Sequence, residues 1–147
     1  MAYIHTITQA DADEPLAAVY RRYANADGSI DDVLRVHSLN PDSLEAHCAL
    51  YIQAMHRPSP VSRAEREMVG VVVSRLNGCG YCLTHHSRGL ARLLPADRKH
   101  LVEAFKAGDC SGLSPREKAM CSYAEKLTVE PASIVQDDID RLREAGL

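Results

Sequence analysis

The sequence predicts an all-α fold, and three features of the chain indicate it. Apolar residues recur at intervals of three and four in several segments, which is the spacing of one face of a helix. Residues that start helices (serine, asparagine and proline) precede these segments, and glycine follows several of them. No segment shows the sustained alternation of β-branched or aromatic residues with polar ones that indicates a strand.

The size and composition of the chain restrict the function classes. Its 147 residues predict a single domain, and 46% apolar with 25% charged residues is a globular balance. A net charge of −3 and scattered basic residues argue against nucleic acid as a partner. The chain shows no signal-peptide pattern and no run of roughly 20 apolar residues, which argues against a membrane. Five cysteines with one closely spaced pair then favour a cytoplasmic protein with reduced thiols.

The first part of the chain, residues 1–58, is expected to hold three helices. The first covers residues 12–26 and ends at the turn around Gly28. A second, short one covers residues 30–38. The third begins at Pro41, carries an apolar stripe and ends before Pro58.

The fourth helix has the clearest start in the chain. Ser62 and Glu65 have the spacing of a capping box, in which each side chain bonds the backbone N–H of the other residue. The segment that follows is apolar almost all round, so we expect this helix to be central and buried. Residues 71–73 alone could equally form a buried strand, but the cap and the length of the segment favour a helix. Asn77-Gly78 ends it, since glycine tolerates the left-handed conformation at a helix end.

A fifth helix is predicted from Cys79 to about Leu94, so that the fourth and fifth helices form an antiparallel hairpin. A sixth covers residues 96–108. A seventh begins at Ser114 with a second capping pattern, and a last one begins at Pro131. Residues 114–147 together form a C-terminal helical arm.

The start of the fifth helix carries the residues most suited to chemistry. Cys79 and Cys82 form a C-x-x-C pair, and His86 follows four residues later. On a helix these side chains lie along one face, one turn apart, so the two thiols can close a disulfide. The imidazole can accept a proton from a thiol. Position alone favours Cys79 as the more reactive thiol, because the positive end of a helix lowers a cysteine pKa.

Glu67 is the fourth candidate site residue. It lies ten residues before Asn77, or about 15 Å along the fourth helix, and His86 lies seven residues after Cys79, or about 10 Å along the fifth. In an antiparallel hairpin the remaining offset of about 5 Å is within reach of a glutamate side chain. We therefore expect Glu67, His86 and Cys82 to form a carboxylate–imidazole–thiol series, the general arrangement of an activated nucleophile.

Other interpretations of these residues remain open. A C-x-x-C pair with nearby histidines can bind zinc, with Cys79, Cys82, His86 and His85 as ligands. A structural zinc site normally draws its ligands from two segments, however, and no second C-x-x-C or H-x-x-x-H is present. Glu67 could be an ordinary solvated carboxylate, and His85 a surface or packing residue. The remaining cysteines are interpreted as apolar fillers or unreactive loop thiols: Cys48, Cys110 and Cys121.

These four residues carry a family resemblance. Glu67, Cys79, Cys82 and His86 match the pattern E-x11-C-x-x-C-x-x-x-H, which resembles the alkylhydroperoxidase D-like branch of the carboxymuconolactone decarboxylase superfamily. Residues 74–82 are most similar to its peroxidase-related group. The similarity that bears the motif covers about residues 62–108, and the rest of the chain resembles that group more loosely.

The resemblance implies an all-α, alkylhydroperoxidase D-like fold, assembly into a homo-oligomer and thiol-dependent reduction of hydroperoxides. It implies that Cys82 attacks the peroxide, that Cys79 resolves the product into a disulfide, and that Glu67 with His86 relays protons. No metal or bound cofactor is implied. The reductant would be a dithiol protein, either lipoyl-bearing or thioredoxin-like. Tyr81 departs from the pattern, because some members have histidine there, so any second proton shuttle at that position is absent.

Functions of other classes are not excluded by the sequence. A general thiol–disulfide oxidoreductase or redox sensor would use the same cysteine pair without reducing peroxide itself. A decarboxylase or isomerase of the wider superfamily is a second alternative, although such members generally lack the C-x-x-C pair. The third is a non-catalytic helical oligomer.

Overall fold

A computed structural model describes residues 3–147, and these residues form α-helices and short 3₁₀ helices without a strand. The predicted all-α fold is confirmed. The chain divides into two compact units between Arg57 and Pro58. This boundary falls where the N-terminal helices were expected to end, and the single domain over residues 1–147 stays a prediction. No helix within residues 3–147 has the length and apolar character needed to cross a membrane.

The first unit contains three helices: α1 (Glu14–Tyr23), α2 (Asp32–Arg35) and α3 (Pro41–Met55). Its core residues are Leu16, Val19, Tyr20, Ile30, Leu44 and Cys48. The first two helices are shorter than predicted. The backbone of Ala24 is extended, and the Asn25 N–H bonds the Ser29 carbonyl in the turn that follows, which ends α1 early. After α2, hydrogen bonds of the i to i+3 type at His37 and Ser38 replace the helical pattern.

The second unit contains five helices: α4 (Arg63–Leu76), α5 (Gly80–Leu93), α6 (Leu101–Lys106), α7 (Pro115–Val129) and α8 (Gln136–Glu144). Helix α4 packs against α5, α6 and α7 and is the central element. The capping box at Ser62 and Glu65 is present as predicted. Met68, Val71 and Val72 are each 2% exposed or less, and burial of such side chains contributes about 1.5–3 kcal/mol each. The prediction that α4 is a buried central helix is therefore confirmed.

The turn between α4 and α5 is short and fully hydrogen-bonded. The Cys79 N–H donates to the Ser74 carbonyl at 2.9 Å, and the Gly78 N–H donates to the Arg75 carbonyl at 3.1 Å. This pair of bonds is a Schellman motif, which requires the left-handed conformation that Gly78 adopts at φ +63°. The motif ends α4 and leads directly into Cys79, the N-cap of α5.

Two helices of the second unit differ from the prediction, one in its continuity and the other in its start. The segment 96–108 is interrupted: a 3₁₀ helix (Ala96–Arg98) precedes α6, and i to i+3 bonds replace the α-helical pattern between them. The last helix begins at Gln136 and not at Pro131, where a short 3₁₀ helix lies instead. Val135 is extended, and its N–H donates to the Asp138 carboxylate at 2.9 Å, which sets the start of α8.

A buried ion pair joins α7 to the segment before α6. The Arg98 guanidinium donates to both carboxylate oxygens of Glu117, at 2.9 and 2.8 Å, and the Ser114 N–H donates to the same carboxylate. Glu117 is only 7% exposed. Burial raises the pKa of Glu117, but the hydrogen bonds from Arg98 and Ser114 outweigh it and hold the pKa below the ordinary value.

Glu117→Gln tests this pair through the pH dependence of stability. Because the folded-state pKa is lowered, the carboxylate stabilises the fold above its unfolded pKa of about 4.3, and that stability is lost as the pH falls through the folded pKa. We expect the variant to lose about 1.5–3 kcal/mol in the free energy of unfolding at pH 7. The difference in the free energy of unfolding between the variant and the wild type should shrink at pH 3. Urea denaturation at both pH values measures it, with the exposed Glu103→Gln as a control; an equal difference at both pH values would contradict the assignment.

Candidate active site

The predicted cysteine pair lies at the N-terminus of α5 and is joined as a disulfide. The Cα atoms of Cys79 and Cys82 are 5.4 Å apart, within the range that a disulfide spans. The Cys79 sulfur also accepts a hydrogen bond from the Cys82 N–H at 3.3 Å, so Cys79 acts as the N-cap of the helix. Both residues are half-buried. The pair therefore lies at the positive end of the helix dipole, where a thiolate is stabilised once the disulfide is reduced.

Glu67 and His86 meet across the hairpin. The Nδ1 atom of His86 lies 2.8 Å from Oε2 of Glu67. Glu67 is 8% exposed and is not the solvated carboxylate of the alternative interpretation. Since an ionised carboxylate only accepts hydrogen bonds, Nδ1 carries the proton and Nε2 is left as an acceptor in the neutral ring. The predicted contact of this carboxylate with this imidazole is present.

Cys82 and His86 are one helical turn apart on α5, which places their Cβ atoms about 5–6 Å apart. Within residues 3–147, no hydrogen bond joins the imidazole to either sulfur of the disulfide. The structure thus forms two neighbouring pairs, Cys79 with Cys82 and Glu67 with His86. A proton can pass between them only after reduction, when Cys82 again carries one.

Two glycines that the sequence analysis did not single out make room for the Glu67–His86 pair. A Cβ atom on Gly70 of α4 would lie 2.5 Å from Nδ1 of His86. A Cβ atom on Gly89 of α5 would lie 2.8 Å from the Glu67 carboxyl carbon. Real Cβ atoms do not come so close to other atoms, so each glycine opens the helix face opposite one partner. Gly70 follows Glu67 by three positions on α4, and Gly89 follows His86 by three positions on α5. This spacing is the sequence pattern that could have revealed the two glycines.

Tyr81 and His85 lie on the outer side of the same helix. Their rings are in contact, with centroids 4.3 Å apart, and both residues are exposed. His85 therefore lies at the surface, as expected. For the zinc interpretation, the part of the chain that the structure describes contains no group of three or more histidine, cysteine, aspartate or glutamate residues arranged to hold a metal ion.

The remaining cysteines and histidines lie outside the hairpin site. Cys48 and Cys121 are buried in the cores of the first and second unit, as expected of apolar fillers, and Cys110 is half-buried. In the first unit the rings of His37 and His47 stack with centroids 4.6 Å apart. No helical spacing predicted this contact, because His37 lies after α2 and His47 lies on α3.

Alanine at either glycine tests the close approach of the two helices. We expect Gly70→Ala and Gly89→Ala to displace the imidazole or the carboxylate and to lower the free energy of unfolding by about 1–3 kcal/mol, the usual cost of overpacking. Urea denaturation measures the loss, and the NMR signal of the His86 ring N–H reports whether the hydrogen bond survives.

Gly80→Ala is the matched control, because a Cβ atom at Gly80 would meet nothing within 4 Å. Gly80 is the first residue of α5 and lies outside the helix interior, where alanine is favoured over glycine by about 0.5–1 kcal/mol. If Gly70→Ala were as stable as Gly80→Ala and kept the ring N–H signal, the proposed role of the glycine would be wrong.

Comparison with known proteins places this chain in a family. A model of the carboxymuconolactone decarboxylase family matches residues 41–126. An uncharacterized protein of Bacillus subtilis (strain 168), YdfG, is 30% identical over 89 residues, which are 60% of this chain and 60% of that protein. The aligned part of the chain thus spans about three-fifths of the curated relative that it matches.

Two solved structures are similar over nearly all of the chain. An uncharacterized peroxidase-related protein from Silicibacter sp. TM1040 has a TM-score of 0.80 and 29% identity, with 100% of this chain and 80% of that chain covered. An alkylhydroperoxidase AhpD core, from an uncharacterized peroxidase-related protein of Ralstonia eutropha JMP134, has a TM-score of 0.83 and 23% identity, with 98% and 75% covered. At 23% identity, the likeness to the Ralstonia structure shows the fold alone. Since the family model covers more than half of the chain, this chain belongs to the carboxymuconolactone decarboxylase family.

Proposed function

We propose that this chain is a thiol-dependent peroxidase of the alkylhydroperoxidase type. Cys79 and Cys82 would form its redox-active disulfide, and Glu67 with His86 its proton relay. The observation that carries the proposal is the disulfide at the start of α5, one helical turn from an imidazole that a buried carboxylate holds. The description of the Silicibacter relative, at 29% identity, as peroxidase-related supports it.

The first step begins from the reduced pair. Nε2 of His86 accepts the proton of the Cys82 thiol, and Glu67 stabilises the imidazolium through Nδ1. The Cys82 thiolate attacks the terminal oxygen of a hydroperoxide. The O–O bond breaks, the alcohol leaves with the proton from His86, and Cys82 becomes a sulfenic acid.

The second step closes the disulfide that the structure contains. Cys79, at the N-cap of α5, loses its proton and attacks the Cys82 sulfur as a thiolate; the S–O bond breaks, and the oxygen leaves as hydroxide that takes up a proton to give water. The Cα separation of 5.4 Å allows this without a large backbone movement. Closure before a second peroxide arrives protects Cys82 from irreversible oxidation.

The last step requires a reductant from outside the chain. A dithiol protein, lipoyl-bearing or thioredoxin-like, would reopen the disulfide by exchange, leaving both cysteines reduced and the partner oxidised. The scheme needs no metal or bound cofactor. Assembly into a homo-oligomer and a cytoplasmic location belong to the same proposal, and the family resemblance is their support.

A general thiol–disulfide oxidoreductase is the second candidate. Tyr81, between the two cysteines, is 39% exposed, and Gly80 beside it is also exposed, so a protein partner has access to the disulfide. Both candidate functions need the Cys79–Cys82 pair, but only the peroxidase consumes peroxide. Titration of free thiols before and after one equivalent of cumene hydroperoxide separates them: the peroxidase loses two thiols per chain and recovers them with a dithiol, whereas the oxidoreductase loses none.

Substitution of single cysteines tests the assigned roles. We expect Cys82→Ser to reduce peroxide no faster than buffer, because the nucleophile is gone. Cys79→Ser should complete one turnover and accumulate a sulfenic acid, which dimedone traps on Cys82. Cys48→Ala, in the core of the first unit, should keep the wild-type rate. If Cys82→Ser instead completed one turnover and dimedone labelled Cys79, the two roles would be reversed.

Glu67→Gln tests the relay. The variant keeps the shape of the side chain but loses the charge that stabilises the His86 imidazolium, so we expect peroxide reduction to slow by about a hundredfold at pH 7. The deficit should shrink at alkaline pH, where hydroxide replaces the relay as the base. Initial rates across a pH series measure this, and Glu103→Gln, an exposed carboxylate on α6, is the control. A deficit that is constant with pH would contradict a role in proton transfer.

A further inference from the structure

A buried hydroxyl lies on the face of α4 that carries the site. Ser74 follows Glu67 and Gly70 at helical intervals of three and four, so the three residues share one face. Ser74 is 5% exposed, which places it between helices and not at the surface. Its Oγ donates a hydrogen bond to the Gly70 carbonyl at 2.6 Å. The proton relay proposed above does not use this hydroxyl.

Two contacts across the hairpin give its register. The carboxyl group of Glu67 lies against Gly89. The ring of His86 lies against Gly70. The first pair lies eleven residues before and after Gly78 of the turn, and the second pair lies eight residues before and after it. Because α4 and α5 have the same rise per residue, residues at equal separations from Gly78 lie at the same level of the two helices.

The same register brings Ser74 to Cys82. The two residues lie four positions before and after Gly78, so they are level with each other. Cys82 is one turn from His86, so it continues the line of facing residues on α5. A backbone contact shows the proximity directly, since the Cys79 N–H donates to the Ser74 carbonyl at 2.9 Å. Ser74 therefore lies beside the cysteine pair, at the level of its second sulfur.

The two sulfurs differ in the hydrogen-bond donors around them. The Cys79 sulfur accepts the N–H of Cys82 at 3.3 Å, and a thiolate at Cys79 can keep this bond after reduction. The backbone N–H groups that follow Cys82 bond to carbonyls of the helix, as the Leu83 N–H does to the Cys79 carbonyl. A Cys82 thiolate therefore depends on side-chain donors. His86 is one of them, and a hydroxyl from α4 is a second.

We propose that the Ser74 hydroxyl donates a hydrogen bond to the Cys82 thiolate in the reduced protein and so favours its ionisation. This inference rests on the proposed function, in which Cys82 attacks the hydroperoxide. On reduction, Ser74 exchanges the Gly70 carbonyl for the sulfur by rotation of its side chain. The carbonyl stays bonded, because the helix pairs it with the N–H of Ser74. The thiol proton passes to His86, and Ser74 keeps its own.

The ionisable groups near Cys82 in the second unit are few, besides its own partners on α5. The helices packed against α5 are α4 and α6. On α4, Glu67 faces the site and is bonded to its imidazole, whereas Arg75 directs its guanidinium to the loop after α6. On α6, Glu103 and Lys106 pair with each other. Substitution of a serine changes none of these charges, so a change in the ionisation of Cys82 reports the lost hydroxyl.

Alkylation of Cys82 tests the hydrogen bond without peroxide. In the full-length Cys79→Ser variant, the rate of reaction with iodoacetamide is measured against pH, and peptide mass mapping follows the label on Cys82. The thiolate is the reactive form, so the midpoint of this curve reports ionisation. Adding Ser74→Ala should raise the midpoint by about one pH unit, the size expected for a hydrogen bond to a charged group. The limiting rate at high pH should rise about threefold, because a more basic thiolate is a better nucleophile.

Ser87→Ala is the matched control. Ser87 is also 5% exposed, but it lies on another face of α5, and its hydroxyl has no hydrogen-bond partner among the described residues. This variant should leave the midpoint unchanged, and Ser74→Thr, which keeps a hydroxyl, should retain most of the wild-type behaviour. An unchanged midpoint in Ser74→Ala, or an equal rise in Ser74→Thr or Ser87→Ala, would overturn the proposal.

The same measurements separate this inference from the proposed function. Alkylation needs no hydroperoxide, so the midpoint can be compared even in a protein that reduces none. A raised midpoint in Ser74→Ala together with no peroxide reduction by the wild type would support the hydrogen bond and contradict the peroxidase. Peroxide reduction by the wild type with equal midpoints would do the reverse.

Discussion

The hydrogen bond between Glu67 and His86 depends on how closely α4 approaches α5. The two side chains fit between the helices because Gly70 and Gly89 present no Cβ atom to them. A carboxylate that is 8% exposed is costly to bury without a partner, and the imidazole supplies one. The same bond fixes the ring, with Nδ1 on the carboxylate and Nε2 left for a proton. One close helix contact therefore accounts for both the burial of the acid and the orientation of the base.

The turn that joins these helices places the sulfurs next to that pair. Its Schellman motif ends α4 at Leu76, with Asn77 as the C-cap, and makes Cys79 the N-cap of α5 without a longer loop. The disulfide consequently lies at an accessible helix end, while the carboxylate and imidazole lie deeper in the hairpin. In the proposed function a peroxide and a protein reductant would need such access, and proton transfer would benefit from the less hydrated interior.

The sequence by itself determined the starts of α4 and α7 and the turn from α4 to α5, but not the ends of α1 and α2 or the start of α8. The capping boxes at Ser62 and Ser114, the glycine stop before Cys79 and the cysteine spacing are local, because hydrogen bonds over three to five residues decide them. A rise of 1.5 Å per residue sufficed to bring Glu67 to the level of His86. Only the tertiary structure decided the helix separation, and with it the need for Gly70 and Gly89. It also brought Arg98 to Glu117, because packing between segments obeys no sequence period.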